Sequence, residues 1–148
     1  MGYKESLEYF ETYIRSLEKY GAEDLWTKPE FAYVYLKNGF PEKADFFIEK
    51  QIAQSEEWIA KDIGMANGQY IFLSYVYIIR GDKGKALENL KLANQLGGVA
   101  VYVMGFRNSP LFENIRDESE FQQTVSEMEA RYQAEHERVR QWLEEHDR

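Results

Sequence analysis

The sequence predicts an all-α fold built from antiparallel helix hairpins, with a long helix near its C-terminal end. Residues 70–93 carry two apolar stripes at helical spacing, one on each side of Gly81-Asp82. The stripes consist of Tyr70, Leu73, Ser74 and Tyr77, and of Ala86, Leu90 and Ala93. Large side chains opposite small ones let two helices approach closely. No segment alternates with the two-residue period of a half-buried strand, so helix is the predicted regular structure throughout.

The composition fits one domain and narrows the range of functions. The chain has 148 residues, among them eleven Tyr, nine Phe and three Trp, which supply an ample core. A formal net charge of −8 argues against direct binding of nucleic acid or anionic lipid. The absence of cysteine excludes disulfides, zinc–thiolate sites and cysteine nucleophiles.

The sequence also bears on localisation. It contains neither a basic-then-apolar leader nor an apolar run of about 18 residues, so we expect no membrane insertion. The compartment stays open. The cytoplasm is favoured, although many bacterial proteins outside the cytoplasm also lack cysteine and the chain can be a fragment of a longer protein.

The first half of the chain divides into three predicted helices. A stripe at Leu7, Phe10, Ile14 and Leu17 predicts a helix from Tyr3 to Tyr20, ended by Gly21. A second helix follows a capping box of Thr27 and Glu30, with Pro29 in its first turn and a staple between Trp26 and Phe31. The staple gives Trp26 a structural role. After a turn at Asn38-Gly39, Pro41 begins a third helix, which continues to about Ile59.

The second half is punctuated by glycine and by helix caps. Gly64, Asn67 and Gly68 are predicted to interrupt the pattern before the hairpin, and Gly97-Gly98 to end it. A short helix is predicted through residues 99–105, with a strand as the alternative because of its β-branched residues. Ser109-Pro110 predicts another short helical turn, and Asp117 with Glu120 predicts the start of the long last helix.

The hairpin resembles the tetratricopeptide repeat, whose pattern is W-x2-L-G-x2-Y followed by A-x3-F. The matching residues are Tyr70-x2-Leu73-Ser74-x2-Tyr77 and Ala86-x3-Leu90, and a weaker copy reads Phe31-Ala32-x2-Tyr35, Gly39 and Ala44-x3-Ile48. In both copies the alanine follows the turn glycine by five residues. The two glycines stand 42 residues apart instead of the repeat's 34, and Lys28 replaces the first large aromatic residue of the weaker copy.

The resemblance implies a short right-handed superhelix in one domain, residues 1–148. Its parts are an N-terminal helix (1–24), a degenerate repeat (25–62), a better repeat (66–97) and C-terminal capping helices (99–148). The tail is similar to the one that follows tetratricopeptide repeats in bacterial multidomain regulatory proteins of the Bacteroidetes type. That likeness rests on Pro110, Phe112, Ile115-Arg116 and Glu120-Phe121.

The repeat family binds peptides on the first helix of each pair, which implies a groove on this chain. The corresponding residues are Tyr33, Leu36, Lys37, Ile71, Tyr75, Ile78 and Ile79. This apolar face suits a peptide or a partner helix, and the alternative is that the terminal helices of the chain cover it. Tyr33 and Tyr75 stand where the family's clamp for acidic C-termini has Asn, which argues against a chaperone-tail receptor.

The last helix offers a second candidate surface, a dimer seam at heptad-like spacing. Its residues are Phe121, Val125, Met128, Tyr132, Val139 and Trp142, interrupted by Glu135. The stripe can pack on the repeats or pair with another copy of the chain.

Catalysis finds no support in the sequence. His136 and His146 lie ten residues apart, which is not a metal-ligand spacing, and the glycine-rich segment from Gly81 to Lys85 follows a helix instead of a strand. We therefore predict a protein–protein interaction scaffold that is not an enzyme and uses no cofactor or metal. Its partner would be a peptide or another protein, with a homodimer as a further option. The alternative is a sensory or dimerising module of a bacterial transcriptional or signalling regulator.

Overall fold

The computed structural model describes residues 2–21, 29–63, 66–97 and 103–146, except the side chains of residues 103 and 104. Within these ranges the regular structure is helical and contains no strand, which confirms the predicted all-α class. The helices are α1 (Tyr3–Lys19), α2 (Pro29–Lys37), α3 (Pro41–Ala60), α4 (Ala66–Arg80), α5 (Lys83–Leu96), α6 (Val103–Asn108), a 3-10 helix (Pro110–Ile115) and α7 (Ser119–His146). No helix in these ranges is both long and apolar enough to cross a membrane.

A glycine turn and a helix cap form the predicted hairpin between α4 and α5. Gly81 has a φ of +85°, a backbone conformation that favours glycine and permits the sharp reversal. Asp82 then caps α5, because its Oδ1 accepts a hydrogen bond of 3.1 Å from the Lys85 amide. Ser109 caps the 3-10 helix in the same way, accepting from the Leu111 amide at 3.3 Å.

Small residues let α4 and α5 pack closely. Ser74, Ala86 and Ala93 have no exposed surface, and Leu90 is equally buried. Consecutive helices contact each other in the series from α1 to α5, and α2 also contacts α4. This pattern agrees with two helix hairpins placed side by side. The right-handed superhelix stays a prediction.

Among the described residues, two apolar clusters of the core meet on α4. One joins α4 and α5 to α6, the 3-10 helix and α7, and the other joins α2, α3 and α4. Tyr70, Tyr77 and Ile79 of α4 pack against both clusters. Helix α4 therefore links the two halves of the core.

A buried polar network also connects α3 to α4. Gln51 Nε2 donates to Ser55 Oγ at 2.9 Å, and Ser55 Oγ donates to Gln69 Oε1 at 3.0 Å. All three residues are buried. Because unpaired polar groups are costly in the interior, these bonds favour one rotational setting of α3 against α4.

The start of α4 differs from its prediction. Asn67 and Gly68 lie inside the helix instead of interrupting it. Asn67 stabilises this arrangement, because its Oδ1 accepts from the Gly68 amide at 2.8 Å and its Nδ2 donates to the Gly97 carbonyl beyond α5. Of the short helix predicted over residues 99–105, the described residues 103–105 lie in α6, which continues to Asn108. Trp26, Thr27, Lys28, Gly64, Gly98 and residues 99–102 lie outside the described residues.

Candidate binding cleft

A surface cleft of about 180 Å³ lies between α2, the end of α4 and the 3-10 helix. Two helices of the core form one wall, and the 3-10 helix forms the other. The lining residues are Tyr33, Leu36, Lys37, Ile78, Ile79, Pro110, Leu111, Glu113 and Asn114.

Five of the seven residues predicted for the groove line this cleft. Tyr33, Leu36 and Lys37 lie on one face of α2 because they follow helical steps of three and four residues. Ile78 and Ile79 come from the last turn of α4. The packing of α2 beside α4 brings the two sets together.

The prediction for the other two groove residues is corrected by the structure. Ile71 has no exposed surface and belongs to the core. The Tyr75 ring lies 6.1 Å from the Phe106 ring and 5.0 Å from the Phe112 ring, measured between centroids. Helix α6 and the 3-10 helix therefore cover the middle of α4. Ile78 also packs in the core, at 7% exposed, so the predicted face is accessible on α2 and is covered by the chain itself along most of α4.

Sequence reasoning missed the second wall of the cleft. The 3-10 helix buries Leu111, Phe112 and Ile115, while Glu113 and Asn114 stay exposed. This division of apolar and polar residues is a signal that the turn packs on one side. It does not reveal that α2 and α4 lie beneath it.

The rim of the cleft carries charges of opposite sign. Beside them, a tyrosine of α2 contacts a tyrosine of α1. Lys37 Nζ lies 5.3 Å from the centroid of the Tyr33 ring, and Glu113 stands on the opposite wall. The Tyr33 hydroxyl is 3.3 Å from the Tyr3 hydroxyl. Burial, the hydrogen bond to Tyr3 and the nearby Glu113 carboxylate together raise the pKa of Tyr33 to about 12. Tyr33 therefore remains a neutral phenol at physiological pH.

A second cleft of about 250 Å³ lies beside the start of α7. Phe121 and Val125 form an apolar floor, and Arg107 and Arg116 stand beside it. Both guanidinium groups already have protein partners: Arg107 pairs with Glu129, and Arg116 Nη2 donates to the Ser109 carbonyl at 2.9 Å. These contacts anchor α6 and the 3-10 helix, so the cleft has a structural explanation.

The candidate dimer seam on α7 is divided into two parts. Phe121, Val125 and Met128 are at most 3% exposed and pack in the core of their own chain. The structure corrects the predicted seam at these three residues, because their side chains pack in the core and are not available to a second chain. Tyr132, Val139 and Trp142 are 44%, 48% and 56% exposed and remain accessible.

The described residues contain no group of three or more His, Cys, Asp and Glu side chains placed to hold a metal ion. Comparison with protein-family models, with curated proteins and with solved structures found no match. The likeness to tetratricopeptide repeats therefore rests on the motif residues of the chain itself.

Proposed function

We propose that this chain is a non-catalytic interaction module that binds a short peptide or a partner helix in the cleft between α2, α4 and the 3-10 helix. One observation carries the proposal. Tyr33, Leu36, Lys37, Ile78 and Ile79, which match the peptide-binding face of tetratricopeptide repeats, line one accessible cleft.

The size of the cleft favours a single anchoring side chain. Sites that enclose small molecules occupy roughly 300–1,000 Å³, whereas this cleft measures about 180 Å³. Leu36 and the partly buried Ile79 offer an aliphatic contact to such an anchor. The buried Ile78 and Leu111 form the base beneath it. An exposed segment of a peptide or helix would then extend across the rim.

The rim charges define the flanking residues of the ligand. Lys37 attracts an acidic residue on the α2 side, and Glu113 attracts a basic residue on the side of the 3-10 helix. A ligand with an apolar anchor between residues of opposite charge matches both walls. The overall charge of −8 gives additional weight to the basic residue.

A phage-displayed library of random dodecapeptides tests the proposal. We expect the wild-type protein to enrich peptides with a shared apolar anchor and Leu36→Glu to lose that enrichment, because Leu36 is 41% exposed inside the cleft. Ile63→Glu is a matched control, since Ile63 is 47% exposed and does not line the cleft. Absence of enrichment, or equal enrichment by Leu36→Glu, would contradict the proposal.

The second candidate is a sensory or dimerising module of a bacterial regulator. The observation in its favour is the exposed apolar stripe on the second half of α7. In that case the long helix would transmit a signal or join two chains.

A further inference from the structure

The second half of α7 is a preformed helical surface. Apart from Glu137, residues 130–146 are exposed. Pairs along this segment stabilise the helix: Arg138 donates to Glu135 at 2.8 Å, and Arg140 donates to Glu137 at 2.9 Å. The exposed stripe of Tyr132, Val139 and Trp142 on this segment follows the same helical spacing as the buried Phe121, Val125 and Met128.

The exposed stripe on α7 has related residues at equal distances from its centre, so it is complementary to a second copy that runs in the opposite direction. Tyr132 and Trp142 lie five residues to either side of position 137, and Glu135 and Val139 lie two residues to either side. An antiparallel copy centred on position 137 would therefore place an aromatic ring opposite an aromatic ring at both ends.

We propose that residues 130–146 of α7 pair antiparallel with the same segment of a second copy of this chain. Tyr132 packs against Trp142 of the second copy, and Glu135 lies level with its Val139. Centred on position 137, the two segments overlap over residues 130–144, about 22 Å at 1.5 Å per residue. This short contact predicts a dimer that forms with rising protein concentration. The inference gives a geometry to the dimerising alternative and is independent of peptide binding in the cleft.

Charge favours the antiparallel direction over the parallel one. A parallel pair would place the two Glu135 carboxylates at the same level of an apolar seam. The antiparallel pair separates them by four residues, about 6 Å along the axis. It also brings the two Arg138 side chains within two residues of each other, and both Glu135 carboxylates lie within one residue of the level of an Arg138 from the other copy, which balances the two positive charges.

The exposed part of α7 is long enough for this arrangement. In the antiparallel pair, His146 of the second copy comes level with Met128. Met128 is 1% exposed and marks the point at which α7 enters its own core. The contact between the two copies therefore ends where the apolar residues of α7 begin to pack against α5, α6 and the 3-10 helix of their own chain.

Light scattering coupled to size exclusion, over a series of protein concentrations, tests self-association. We expect the wild type to approach twice the 17.5 kDa of one chain, and Trp142→Glu to remain at that single mass. Gln133→Glu introduces the same charge on the opposite face and should behave as the wild type. Far-UV circular dichroism confirms that each variant is folded. A wild type that stays monomeric over the whole series would overturn the inference together with the dimerising alternative.

Cross-linking tests the direction of pairing, because the chain has no cysteine of its own. Arg138→Cys lies one residue from the centre of the antiparallel pair, so two copies should be joined by a short bismaleimide. His146→Cys should not be joined, since its two copies would lie at opposite ends of the overlap. A parallel dimer would join the two copies of both variants, because it places the same residue of each chain at the same level, so cross-linking of His146→Cys would overturn the antiparallel geometry. Leu36→Glu should leave the mass unchanged, which separates this inference from the cleft proposal.

Discussion

At the residue scale, Ala86 is one of the small residues on which the close approach of α4 and α5 depends. It has no exposed surface and stands in the core cluster with Leu90 and Ala93. We expect Ala86→Leu to lower the free energy of unfolding by roughly 1–3 kcal/mol, because added methylene groups overpack a filled interior. Urea unfolding measures the loss. Glu88→Leu, on the exposed face of the same helix, is the control, and equal stability of the two variants would contradict this packing.

The raised pKa of Tyr33 makes the stability of the folded chain depend on pH. Its pKa rises from an ordinary value of 10.0 to about 12 in the folded chain, chiefly through burial. The neutral phenol is therefore favoured by folding, and this contribution is complete below pH 10 and lost as the pH approaches 12. We expect the stability of the wild type to fall across that window and that of Tyr33→Phe to fall less. Tyr9→Phe, at an exposed position on α1, should keep the wild-type dependence.

The groove residues show which part of a binding surface a sequence can predict. Tyr33, Leu36, Lys37, Ile78 and Ile79 were found because a repeat motif assigns positions to helix faces. Ile71 occupies an equivalent face but lies in the core, and Tyr75 is partly buried against Phe106 and Phe112. These rings come from segments about thirty residues further along the chain, and their placement depends on tertiary packing that helical periodicity does not encode.

At the scale of single elements, the start of α5 depends on one side chain. Asp82 Oδ1 accepts from the Lys85 amide, which satisfies one of the free donors of the first turn. We expect Asp82→Ala to cost about 1 kcal/mol, as the loss of a helix cap usually does. Asp82→Asn retains the acceptor and should be close to the wild type in urea unfolding. If Asp82→Ala is as stable as Asp82→Asn, the cap is not contributing.

Helix α7 shows that a helix is easier to predict from sequence than the burial or exposure of its apolar face. The spacing of Phe121, Val125 and Met128 continues through Tyr132, Val139 and Trp142. Periodicity alone assigns all six residues to one seam, as the sequence predicted. The structure separates them, because α5 contacts α7 near its start, where Asn94 Nδ2 donates to Glu127 at 2.8 Å. Beyond that point most of the segment is exposed.

At the scale of the whole molecule, α4 joins both halves of the core. Tyr70, Tyr77 and Ile79 pack against each apolar cluster, so neither cluster can lose its packing without exposing part of the other. This sharing predicts one cooperative unfolding transition instead of two.

Substitutions in the two clusters test that cooperativity. Leu90→Ala removes buried methyl groups from the cluster that contains α5 and α7, and Ile48→Ala removes them from the cluster of α2 and α3. Each should cost about 2–5 kcal/mol. In calorimetry, performed on Trp142→Glu so that self-association plays no part, we expect each variant to show a single peak at a lower temperature. The calorimetric and van't Hoff enthalpies should agree. Two peaks, with each variant shifting only one of them, would show that the halves unfold separately and that contacts across α4 do not couple them.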